Sequence, residues 1–172
     1  MAGKQRLATF VALTLAAPLG ACGGNDGPPP APEDTLQVIL GTGEADFQPI
    51  DGEPRIRLVA GIQGGFHVWA SFLVYDYPGD ALDMVLDTHV DGDDESEIVM
   101  RAHLQLHDTV DPSGQPARYF AGFPAQIYDA RCAQDKRVSV HVRLTGSDGL
   151  TGEDTRYCIA EIDAQQRRAD CE

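Results

Sequence analysis

The chain has 172 residues, with 27 acidic side chains against 13 basic ones and a formal net charge of −14. A surface this negative repels nucleic-acid phosphates and anionic lipid headgroups, so neither is expected as an electrostatic partner. No internal repeat is apparent, and the part beyond residue 34 has the length of one ordinary domain with one core.

The first elements in chain order are not part of that domain. Lys4 and Arg6 precede Leu7–Pro18, a run almost entirely apolar and too short to span a bilayer as a stable helix. The run ends in Leu19-Gly20-Ala21-Cys22, which resembles the lipobox of bacterial lipoproteins. That resemblance implies acylation of the Cys22 thiol, removal of residues 1–21 as a signal peptide, and acylation of the new amino group. An ordinary secretory signal with a chance cysteine is the alternative. Several acyl chains together anchor a protein at about 0.8 kcal/mol per buried CH₂, so membrane attachment is expected through Cys22 and not through a spanning segment. Without residues 1–21 the chain keeps 11 basic and 27 acidic residues, a balance of −16. Residues 23–34, GGNDGPPPAPED, have no large apolar side chain. They are expected to form a tether of roughly 35 Å, at ~3.1 Å per residue in polyproline geometry. An Asp after the cysteine would resemble the inner-membrane retention signal of enterobacterial lipoproteins; Gly23 stands there, so that resemblance implies the outer over the inner membrane. Residues 22–34 are assigned to anchor and tether and 35–172 to the domain.

The domain is expected to be all-β. Period-two alternation recurs between turn signals, and no helical period of useful length competes with it. Leu36–Leu40, Arg55–Ile62, Leu82–Val90, Ser96–His107, Arg118–Tyr128, Lys136–Leu144 and Thr155–Ile162 are expected strands. Turn signals fall at 51–53, 63–65, 77–80, 91–95, 111–116 and 146–149. Seven to nine such strands predict an antiparallel sandwich, immunoglobulin-like, with a small barrel as the alternative.

The stretch GIQGGFHVWASF, residues 61–72, sets a register. A two-residue Gly64-Gly65 turn would put His67, Trp69 and Ser71 on the core side. A three-residue loop, Gln63-Gly64-Gly65, pairs 62 with 66, 60 with 68, 58 with 70 and 56 with 72. It gathers nine apolar side chains on one face, and register follows the buried face. The second option is therefore expected. His67, Trp69, Ser71, Leu73 and Tyr75 then lie away from the core, opposite Gly61, Val59, Arg57 and Arg55. His67, Trp69, Tyr75 and Arg57 form a candidate surface binding site; the alternative is that Trp69 only covers Val59 and the Arg57 stem. Residues 41–69 also resemble a segment of uncharacterised exported bacterial lipoproteins, in which GTGE…F.P..G precedes G.QGG.H. That resemblance implies a localisation and a fold, but no chemistry.

The remaining motifs are weaker. Asp87-Thr-His-Val-Asp91-Gly92 opens like a calcium loop, but His89 holds the third position and Ile98 stands where the bidentate Glu belongs. Asp87, Asp91, Asp93 and Glu95 are candidate ligands for weak calcium binding, against a solvated acidic loop that keeps strand edges apart. His103 and His107 are about 13 Å apart on one strand at 3.3 Å per residue, too far to share an ion. With the turn centred near Asp148, residue i of the last hairpin faces residue 296 − i. Cys132 then sits opposite residue 164, from which the tail can return, so Cys132–Cys171 is the favoured disulfide. Cys158 is expected to be a buried small hydrophobe. The motifs of serine hydrolases, zinc peptidases, nucleotide-binding loops and thiol oxidoreductases do not occur, so no enzyme activity and no cofactor are expected. The expected function is a lipid-anchored binding or structural module of the cell envelope, with an envelope protein or glycan as partner. A calcium- or metal-dependent module and an unrecognised periplasmic hydrolase are the alternatives.

Overall fold

The last hairpin shows how the sequence sets the structure. Val138, Val140, Val142 and Leu144 alternate with polar residues, and Gly149 takes the left-handed conformation, φ +87°, that the tight turn requires. In the computed structural model, β10 (Arg137–Gly146) pairs antiparallel with β11 (Thr151–Glu161), with Val138 opposite Cys158 and Leu144 opposite Gly152. This is the expected 296 − i register. The structure describes residues 35–61, 65–92, 97–128 and 130–166. Lipidation at Cys22, the signal segment and the tether all lie outside them.

The other strands are β1 (Gln37–Thr42), β2 (Gln48–Pro49), β3 (Arg55–Arg57), β4 (Val59–Ala60), β5 (Phe66–Tyr75), β6 (Ala81–Val90), β7 (Ile98–Gln105), β8 (His107–Val110) and β9 (Pro116–Ile127). One sheet has the order β2-β1-β5-β9-β8, with β4 also on β5; the other has the order β3-β11-β10-β6-β7. The two pack face to face as an all-β sandwich. Their inner faces supply Leu40, Val68, Phe72, Leu86, Val140, Ala160 and their neighbours to one continuous core. Thr88 is the polar exception there, and its hydroxyl donates across the sandwich to the Gln126 carbonyl. The expected immunoglobulin-like arrangement sets two antiparallel sheets in a different order. Here β3 runs parallel to β11, so the sandwich is supported and that finer assignment is not.

The expected strand 55–62 is divided between the sheets. Ile56 pairs with Ala160 in one sheet, Leu58 donates to the Glu161 carbonyl and is buried, and Val59 then pairs with His67 in the other. Residues 56 and 58 therefore never face 72 and 70. Phe72 lies between Leu40 and Phe120 instead. The hairpin closes through Gly61 and Gly65, with a 2.7 Å bond from the Gly61 amide to the Gly65 carbonyl. Ala60 faces Phe66, where Val68 was expected. This slip of two residues keeps the side chains of β5 on their expected faces: Phe66, Val68, Ala70, Phe72 and Val74 are in the main core, whereas Ala60, expected with them, is exposed and Ile62 lies outside the described residues. Leu73 and Tyr75 join a second, smaller apolar cluster on the outer face, with Ile39, Phe47, Ala117 and Tyr119.

Cys132 is disulfide-bonded, and Cys158 is the free buried thiol. Cys171, the expected partner of Cys132, lies outside the described residues. Burial raises the Cys158 thiol to about 11, so it stays protonated and unreactive at neutral pH.

Candidate functional site

The crossing at Leu58 creates the site. Strands β1 and β4 both pair with β5 along the same edge, β1 at residues 71–75 and β4 at 66–67. Between them the ladder is interrupted beside Trp69. A side chain mends part of the gap: the Thr42 hydroxyl donates to the Trp69 carbonyl at 2.8 Å, and the Ser71 hydroxyl donates to the Thr42 carbonyl at 2.6 Å. On the outer face above this notch lies an open depression of about 650 Å³. Its walls include Val59, Gly61, His67, Trp69, Pro124 and Gln126. None of the described side chains that line it is charged, in a chain with 27 acids.

Two short segments of the same sheet, far apart in the chain, lock together. Gly122, at φ +81°, donates to the Gly43 carbonyl at 3.1 Å. A Cβ on Gly122 would overlap the Glu44 carbonyl oxygen, and one on Gly41 would overlap the Phe47 ring. These contacts hold the Thr42–Phe47 excursion against the outer face of the sheet, close enough for the Glu44 charge to act on His67. The charge of the GTGE part of the segment noted in the sequence is therefore felt at the histidine of its G.QGG.H part.

His67 and Trp69 pack edge to face, with ring centroids 4.4 Å apart and planes at 74°. His67 is only 9% exposed, and its Nε2 is buried with no hydrogen-bond partner among the described residues. An unpaired buried polar atom in a native domain is uncommon and costs free energy. Burial holds the imidazole below its ordinary value, and the Glu44 carboxylate acts in the opposite direction. The folded state therefore resists protonation that the unfolded chain accepts. Stability is complete above the unfolded value near 6.5 and falls as pH drops from there towards the lower folded value. Thermal melting at pH 7.5 and 5.5 checks this. His67→Gln is expected to lose less stability over that interval than the wild type; an equal loss would exclude His67 as the source.

Two expected members of the binding surface are elsewhere. Tyr75 is at the far end of β5, about 26 Å from His67 at 3.3 Å per residue. Its hydroxyl donates to Asp111 Oδ2 at 2.9 Å, and burial first, then that bond, raises its ionisation to about 12. It closes the second cluster. Arg57 is on β3, in the other sheet, and pairs with Asp163 at 2.9 Å. Sequence reasoning missed Glu44, Pro124 and Gln126. Pro124 and Gln126 alternate with buried Ala125 on β9, so their outward face was readable, but their pairing with Trp69 and His67 was not.

The calcium assignment loses Asp87. That residue lies within β6, and its Oδ2 is 2.9 Å from His141 Nδ1. The ladder continues through the Asp91 amide to the Arg137 carbonyl, so Asp87 and Asp91 are about 13 Å apart along extended chain and cannot share an ion. Asp91 is also 3.9 Å from Arg137. Asp93 and Glu95 lie outside the described residues. Among the described residues, no group of three His, Cys, Asp or Glu could hold a metal ion. His141 has carboxylates on both ring nitrogens, Asp87 on one and Glu153 at 3.7 Å on the other.

Fold and site together define an all-β sandwich with an uncharged aromatic depression on the outer face of one sheet. No family model matches the chain, and no curated protein or solved structure matches it either.

Proposed function

We propose that the protein is a lipid-anchored component of the bacterial cell envelope whose sandwich is a binding module. The depression beside His67 and Trp69 is its binding surface, and an envelope protein or glycan is its partner. The buried, unpaired His67 Nε2 at an uncharged aromatic wall carries this reading. Sites that bind ligands combine apolar walls with a few unsatisfied polar groups, in volumes of roughly 300–1,000 Å³. The lipobox ending at Cys22 and the Gly/Pro-rich stretch after it support attachment to the outer membrane by lipid, with the sandwich held off the bilayer. The reading assigns no catalytic step, no cofactor and no nucleic-acid partner.

A photo-crosslinking residue at position 126 in intact cells tests the binding surface. Adducts are expected from position 126 and not from position 103, which is on the outer face of the other sheet. Equal labelling from both, or none from 126, would overturn it. Labelling with a palmitate analogue tests the anchor. Cys22→Ser is expected to abolish the label, and a label that persists would refute lipidation at that residue.

A further inference from the structure

The chemistry of the depression is specific enough to name a ligand class. Among the described residues its lining side chains carry no charge although the chain is strongly acidic; the one carboxylate whose charge reaches it, Glu44, repels an anionic polymer and is too little to match a strongly cationic peptide. It is open, which does not suit a wholly apolar ligand that needs to be enclosed. One wall is flat and apolar, made by Trp69 and Pro124 side by side on β5 and β9. The polar groups stand at the edge: the exposed Gln126 amide, the His67 imidazole, and the backbone around Gly61 and Gly65.

We infer that this site takes a neutral saccharide, and the inference rests on the binding role proposed above. A pyranose ring has a face of C–H groups and a rim of hydroxyls. The C–H face matches the indole of Trp69, a rigid, amphipathic surface that binds at low entropic cost. The hydroxyls match the rim. The Gln126 amide both donates and accepts, and a sugar hydroxyl does the same. His67 is neutral at pH 7, so its ring carries one donor and one acceptor. A hydroxyl therefore satisfies Nε2 whichever nitrogen holds the proton, once the ring turns to present that atom. A quaternary ammonium would gain from Trp69 and Glu44, but it has no N–H to donate and would leave the Gln126 and His67 groups unused. The shallow, open shape suits a few units of a longer chain more than a free monosaccharide.

Trp69 is the chain's single tryptophan, so intrinsic fluorescence reports on this wall alone. The lipid-free mature protein is titrated with neutral tetrasaccharides of glucose, mannose and N-acetylglucosamine. Tetramethylammonium chloride and an uncharged apolar peptide complete the panel. A saturable change is expected with at least one tetrasaccharide, weakened about tenfold by Gln126→Ala, which corresponds to roughly 1.4 kcal/mol. Gln126 is exposed, so this variant folds; Arg101→Ala, on the other sheet, is expected to bind as the wild type does. No saturable response to any tetrasaccharide up to about 10 mM would overturn the inference, as would a response to tetramethylammonium or the peptide alone. Protein adducts from position 126 in cells, with no saccharide response in the titration, would reject the saccharide and keep the binding module.

Discussion

Phe72→Ala is expected to lower the unfolding free energy by about 3–5 kcal/mol, a large share of the total for a domain of this size. Phe72 is fully buried. It faces Leu40 on β1 and Phe120 on β9, and its ring stacks with that of Phe120 at a centroid distance of 6.3 Å. Removing it leaves a cavity between the two sheets that neither sheet closes by shifting, because each is pinned by its own ladder. Phe72→Leu conserves most of the volume and is expected to cost less than half as much. Urea unfolding of the three proteins checks both values. A loss below about 1 kcal/mol for the alanine variant, the average for any substitution, would mean that Phe72 does not sit at the centre of the core.

Gly122→Val carries the second large effect, and it acts on the site. A β-branched residue at φ +81° costs about 1–3 kcal/mol through the backbone alone. Its Cβ would also overlap the Glu44 carbonyl oxygen, so the Thr42–Phe47 excursion has to move away from the outer face. The variant is expected to be destabilised by at least that amount and to show a shifted Trp69 emission, because Thr42 bonds to the Trp69 carbonyl. Gly65→Ala is the control. The added carbon meets no described residue within 4 Å and Gly65 has no positive φ, so the variant's stability is expected to stay within ~0.5 kcal/mol of the wild type. A Gly122 variant with unchanged stability and unchanged emission would show that the contact at Gly122 does not hold the excursion in place.

The strands were readable because alternation in this chain is strong. Val138 to Leu144 alternate buried with half-buried or exposed residues, and Ile98 to Leu104 alternate half-buried or buried with exposed ones, as the pattern demands. The turn at 146–149 then fixed the last register, since a tight glycine turn leaves no room for slippage. The hairpin around Gly61 was harder. Alternation distinguishes a slip of one residue from the true register, because that slip exposes the whole apolar set. A slip of two leaves every face unchanged, so the pattern could not choose between Ala60 facing Val68 and Ala60 facing Phe66. The transfer of the chain at Leu58 was hidden for a related reason: Ile56 and Leu58 point to a core in either sheet. Arg57 and Tyr75 were grouped with His67 on the assumption of one continuous strand pair. The division of that strand put Arg57 on the other sheet, and the outer face of β5 proved long enough to carry two separate features. The rim of the site needed the full topology, because Glu44, Pro124 and Gln126 reach His67 from elements far away in the sequence.

The central claim is that the face bearing His67 and Trp69, and not the polar face of the opposite sheet, meets the partner. NMR of the isotope-labelled mature domain, titrated with solubilised native envelope, tests it most directly. The account predicts that the amides of Val59, Gly65, His67, Trp69 and Gln126 and the indole N–H of Trp69 shift or broaden first, while Ser139, His141 and Tyr157 keep their positions. Perturbation centred on those three residues, with the Trp69 indole unmoved, would contradict it.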